Sequence, residues 1–119
     1  MTFDDSFLNV TFTAGDHFDV GEIKLVRLCK NFAILYFTAS VNSPFSKNTW
    51  NAVVSFDNTY GYYDCYISPI IIAPQEASAD ILCEARMYSN TVQVLSRNTD
   101  ITISPRKSLY YNSIIRTIR

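Results

Sequence analysis

Residues 22–41, EIKLVRLCKNFAILYFTASV, constrain the fold of this chain more than any other stretch. Ile23, Val26, Ile34, Tyr36, Phe37, Thr38 and Val41 are β-branched or aromatic residues that suit a pleated surface. The polar pair Lys30-Asn31 interrupts the run, so the stretch predicts two long strands folded back on each other as a hairpin. Its second arm is apolar on both faces, with Phe32, Ile34 and Tyr36 pointing one way and Ala33, Leu35, Phe37, Ala39 and Val41 the other. An antiparallel strand with one wet face alternates cleanly. This arm is therefore expected to be covered on both sides, by a neighbouring sheet, a loop or another copy of the chain.

The remaining segments read as further short strands between turns. Residues 7–13, FLNVTFT, alternate and stop at Ala14-Gly15-Asp16, which makes residues 1–21 a peripheral first strand and loop. Residues 42–48 are turn-forming throughout, and residues 50–56 then place Trp50, Ala52, Val54 and Phe56 on one face with Asn51 and Ser55 on the other. Residues 65–72 predict a strand that Pro69, lacking a backbone N–H, confines to an edge or breaks. In the next strand Ile81, Cys83, Ala85 and Met87 face one way and Glu84 and Arg86 the other, and Ser89-Asn90 turns it into residues 91–96. A short strand at 101–104 stops at Pro105, and residues 109–118 close the chain, with Leu109, Tyr111 and Ile115 opposite Tyr110, Ile114 and Ile118. About eight short strands with no helical period argue for an antiparallel sandwich or barrel, and we expect a jelly-roll-like β-sandwich.

At 119 residues the chain reads as one domain, and 48% hydrophobic against 18% charged residues excludes a disordered polymer. A net charge of −1 leaves no basic stripe to neutralise phosphates, so no nucleic-acid partner is expected. The longest apolar run, residues 70–73, is far short of a membrane span, so no membrane insertion is expected either. The amino end, MTFDDSFLNV, lacks the basic-then-apolar order of a secretion signal. Synthesis in a reducing cytoplasm follows as the expectation. The Asn9-Val10-Thr11 acceptor pattern then reads as a chance match, and Cys29, Cys65 and Cys83, odd in number and widely spaced, as thiols without a disulfide framework.

Catalysis and metal binding find little support in the residue pattern. His17, the single histidine, sits between Asp16 and Asp19 with no nucleophile motif, and reads as a solvated loop residue. Together with the three cysteines it could supply four zinc ligands, but the spacing does not favour that, and Cys83 falls on a core face as a small apolar side chain. Asp57, Asp64, Glu76 and Asp80 lie in loops, where glycosidase carboxylates would need a defined separation that sequence does not give. No catalytic residue, metal ligand or cofactor is assigned.

Eight Tyr, eight Phe and one Trp stand above background, and core packing accounts for most of them. Residues 57–64, DNTYGYYD, differ, because Tyr60, Tyr62 and Tyr63 lie among Asp57, Asn58 and Asp64 in a loop. Rigid rings beside short polar groups suit a sugar or peptide ligand, and these six residues form the candidate ligand-binding set. Packing at a subunit contact or over the end of the sandwich is the competing reading.

The hairpin LVRLCKNFAILYFTAS, a loop, the strand at 50–56, a proline-containing stretch, a second hairpin MYSNTVQV and the closing strand at 109–118 follow one another in a recognisable order. That order resembles the small β-sandwich head domains at the carboxyl ends of tailed-phage fibres and baseplate proteins, over residues 23–118. Lys30-Asn31 stands where such heads often carry Gly-Asn, and SFDNTYGY where they carry a Leu-Pro-x-Gly-Tyr-like segment. The resemblance implies a homotrimer that adheres to host cell-surface saccharide or protein without catalysis, carried in the virion tail after assembly in the host cytoplasm. Rival readings are a structural tail component without a ligand and, behind it, a polysaccharide hydrolase. Paired apolar faces on residues 32–41 and 109–118 independently predict a homo-oligomer.

Overall fold

A computed structural model describes residues 11–57, 68–74 and 80–116. The described residues are all-β: β1 (Phe12–Ala14), β2 (Phe18–Cys29), β3 (Phe32–Val41), β4 (Asn51–Phe56), β5 (Ser68–Pro74), β6 (Ile81–Tyr88), β7 (Thr91–Leu95) and β8 (Lys107–Arg116). Every pairing is antiparallel, in a single sheet ordered β1-β4-β7-β6-β5-β8-β3-β2.

That order decides between barrel and sandwich. The strands at the two ends of the sheet, β1 and β2, are consecutive in the chain and separated only by residues 15–17. So short a link reaches at most ~14 Å, which brings the two ends of the sheet together. The architecture is therefore a nearly closed barrel rather than two packed sheets. Regular strand spacing is common to both, and the deciding pairing is β5 with β8, limited to Ile72–Pro74, which sequence spacing does not reveal.

Residue type explains why each strand sits where it does. β2 and β3 form the expected hairpin about Lys30-Asn31, where the Arg27 guanidinium donates to the Lys30 carbonyl at 2.7 Å and holds the turn without a glycine. Alternate β3 residues, Ala33, Leu35, Phe37, Ala39 and Val41, fill the barrel interior. They meet Leu25 of β2 and Leu109, Tyr111 and Ile115 of β8, with the Phe37 and Tyr111 rings stacked at 5.0 Å. Across the barrel, Cys83, Ala85 and Met87 of β6 and Val92 and Val94 of β7 complete the core, in the faces their alternation predicts.

Pro69 sits in β5 opposite Glu84 of β6, on the part of β5 that β8 does not reach, so its missing N–H breaks no ladder on that side. The hairpin between β6 and β7 turns at Ser89-Asn90, with Ser89 in the left-handed region (φ 56°). The Asn90 amide donates to the Phe56 carbonyl, fastening this turn to β4.

Gly15 makes the closing link possible. A Cβ there would lie 1.8 Å from the Ala52 carbonyl oxygen, because the backbone passes directly over β4 and donates from Gly15 N to Val53 O at 2.8 Å. The residue reads as a turn former in sequence, and the structure makes it a close-approach residue.

Two loops seal one end. Phe45 and Ile101 exchange both backbone hydrogen bonds, at 3.0 and 2.9 Å, and both side chains are buried. The short strand expected at 101–104 is thus reduced, among the described residues, to an isolated bridge between Ile101 and the loop residue Phe45. Lys107 is buried at the start of β8, and its ammonium donates to Thr102 O (2.8 Å), Thr102 Oγ1 (3.0 Å) and Pro105 O (3.0 Å). Three donors meet three acceptors, which offsets the cost of burying the charge.

Candidate binding surface

The outer face of β4, β7 and β6 carries the most developed side-chain arrangement among the described residues. A bulge between Ala52 and Val54 of β4 buries both Val53 and Val54, so the two-residue alternation is broken there. Trp50 and Ala52, expected on the core face with Val54 and Phe56, are turned outward instead. Ala52 pairs with Gln93 of β7, and Gln93 with Arg86 of β6, so these three form one row across the sheet.

Arg86 is the centre of the group. Its guanidinium carbon lies 4.0 Å from the centroid of the Trp50 ring and 5.0 Å from that of Tyr88, and its Nε donates to Gln93 Oε1 at 2.7 Å. Trp50, Arg86 and Gln93 are half-buried, and Tyr88 is 57% exposed. In the adjoining row Ser55 and Thr91 share a hydroxyl hydrogen bond of 3.0 Å. On the other flank Arg97 donates Nε and Nη2 to the two carboxylate oxygens of Glu84 at 2.9 and 2.8 Å, and this bonding holds the Glu84 carboxyl below its ordinary range.

A second feature lies where β5 diverges from β8. There a groove of about 400 Å³ is lined by Ile71, Leu82 and Tyr110, which are 49%, 70% and 66% exposed. Farther along, the outward residues of β3 and β8 include the exposed Phe32 and Ile114. The expectation that this face of β3 is covered on both sides is not met within the described residues of one chain.

Of the ligand set expected from the sequence, Asp57 lies at the end of β4. Its N–H donates to Thr11 O at 2.9 Å and its Oδ2 accepts from Thr11 N at 2.6 Å, joining β1 to β4. Asn58, Tyr60, Tyr62, Tyr63 and Asp64 lie outside the described residues, as do Cys65 and Glu76. His17 is not simply solvated: its Nδ1 is 2.8 Å from Ser43 Oγ and its ring packs against Phe45. Cys83 is buried as expected, and Cys29 half-buried, and both thiols are free. Among the described residues no three His, Cys, Asp or Glu side chains could together hold a metal ion, and no helix is long and apolar enough to cross a membrane.

No family model, curated protein or solved structure matches the chain. The arrangement of Trp50, Arg86 and Tyr88 was not singled out from sequence, since the bulge hides the direction of Trp50. The signal that was available is the pair Arg86 and Tyr88, two residues apart on the polar face of β6.

Proposed function

We propose that this domain is a non-catalytic recognition module, the host-binding head of a phage tail fibre or baseplate protein, which contacts cell-surface saccharide or protein and works as a homotrimer in the virion tail. The observation that carries recognition is the guanidinium of Arg86 flanked by the Trp50 and Tyr88 rings on the outer face of a nearly closed barrel. Aromatic and arginine side chains fixed on strands lose little freedom on binding and are the residue types that anchor interfaces. The segment order of residues 23–118 supports the viral part of the reading.

A structural tail component is the second reading, favoured by the exposed Phe32 and Ile114 on the β3 and β8 face. Labelled protein applied to an array of bacterial surface glycans and to bacterial cells tests recognition. The parent chain is expected to bind, and a Trp50→Ala/Tyr88→Ala double variant that keeps its melting temperature is expected to lose binding. A parent chain that binds neither glycans nor cells removes the recognition reading and leaves the structural one. The loop at 57–64 enters the same assay through Tyr62→Ala and Tyr63→Ala, which lose binding if that loop shares the surface.

A further inference from the structure

We propose that the Trp50, Arg86 and Tyr88 cluster binds a saccharide bearing a carboxylate, with the Arg86 guanidinium on the carboxylate and the Tyr88 ring against the sugar. This rests on the recognition reading above and gives its ligand a chemical class.

The geometry of Arg86 points to an anion. A free arginine side chain must be ordered before it can clamp a ligand, but here two rings and the Gln93 carbonyl already fix the plane of the guanidinium. Gln93 occupies Nε alone. Among the described residues nothing accepts from the two terminal nitrogens, so the forked end that matches the two oxygens of a carboxylate remains available. The neighbouring carboxylate that could have answered it, Glu84, is instead held by both Nε and Nη2 of Arg97. Arg97 therefore takes the one carboxylate beside Arg86.

A single negative charge suits the site better than a doubly charged phosphate. Glu84 stands two residues before Arg86 on the same face and is already answered by Arg97, so Arg86 leaves one uncompensated positive charge, which a monoanion matches and a dianion exceeds. A sugar suits it better than a peptide. β6 is an interior strand paired with β5 and β7, which leaves no edge for an added strand. Ser55 and Thr91 in the row of Tyr88 carry hydroxyls and Gln93 an amide, groups of the kind that hydrogen-bond sugar hydroxyls, beside an exposed tyrosine ring.

Trp50 is the only tryptophan in the chain, so its indole N–H resonance reports on this site alone. The full chain is titrated with sodium glucuronate, methyl glucuronate ester, glucose, glucose 6-phosphate and a glutamate-containing peptide. Glucuronate is expected to shift the indole signal saturably, with the ester and glucose about tenfold weaker or more, because they cannot accept the charged fork. Arg86→Gln should abolish the preference for acid over ester, and Gln93→Ala, which frees Nε and removes the neighbouring amide, should weaken glucuronate several-fold. Both variants are checked for an unchanged backbone spectrum. Equal binding of acid and ester, or an Arg86→Gln chain that keeps its preference, overturns the carboxylate and leaves recognition standing. Tighter binding of glucose 6-phosphate or of the peptide overturns the ligand class. If no probe moves the indole signal while the parent still binds bacterial glycans, the site is wrong. If the parent binds nothing in either assay, the recognition reading itself fails.

Discussion

Lys107 and Cys83 are the two buried side chains whose chemistry is most sensitive to change. The Lys107 ammonium, itself buried, serves the Thr102 and Pro105 oxygens. Lys107→Met keeps the aliphatic bulk and removes all three donors. It should cost about 1–3 kcal/mol, read as a lower urea midpoint, and an unchanged midpoint would refute the capping role. At Cys83, burial pushes the thiol above its ordinary range, with a hydrogen bond to Ser96 acting the other way. The folded chain thus holds that proton more tightly than the unfolded chain. Stability is full below the ordinary thiol pKa of about 8.5 and declines as pH rises past it. Between about pH 8 and pH 10 the urea midpoint of the parent should fall more steeply than that of Cys83→Ala. Parallel slopes would show that Cys83 contributes nothing to the alkaline loss.

Among the elements, the link between β1 and β2 makes the sharpest prediction. Gly15→Ala places a methyl group on the Ala52 backbone, which has no side-chain rotation to yield with. The variant should lose several kcal/mol, as a backbone clash in a fixed turn does, and hydrogen exchange should quicken first at the Gly15 amide bonded to Val53. A Gly15→Ala chain as stable as the parent would mean that this link is not fixed over β4. The same scale shows what residue patterns can reveal. The inward residues of β3, β6 and most of β8 were legible because alternation runs unbroken through those strands, whereas β2 carries two register shifts and its buried Leu25 was not. At β4 one inserted residue reverses the pattern, and Trp50 was assigned to the core although it stands on the outer face beside Arg86. The β-forming neighbours of Ile101 predict a strand there, while among the described residues its ladder partner is the loop residue Phe45. Which strands join across the barrel depends on contacts between distant segments, and no local pattern encodes them. For the candidate surface, the residue types were visible and the direction of the rings was not.

For the whole molecule, the outward residues of β3 and β8 carry the proposal of self-association. Phe32 and Ile114 are 44% and 58% exposed in the single chain, on strands whose other face fills the core. Light scattering should give about three times 13.6 kDa for the parent, and Ile114→Lys, at an exposed position, should shift the mass toward the monomer without lowering the melting temperature. A parent peak at 13.6 kDa at micromolar concentration would remove the trimer. The strand order also has a consequence for how the chain is made. The hairpin of β2 and β3 is synthesised early, yet the inner neighbour of β3 is β8, the last strand described. On the ribosome, one edge of β3 must wait through the production of four further strands before its permanent partner emerges. Until then that edge offers unpaired backbone groups and apolar side chains to any passing strand. Completion of the barrel is thus set by a contact between distant parts of the chain, an arrangement that folds slowly for its size, and it leaves the nascent hairpin as the part most in need of a chaperone.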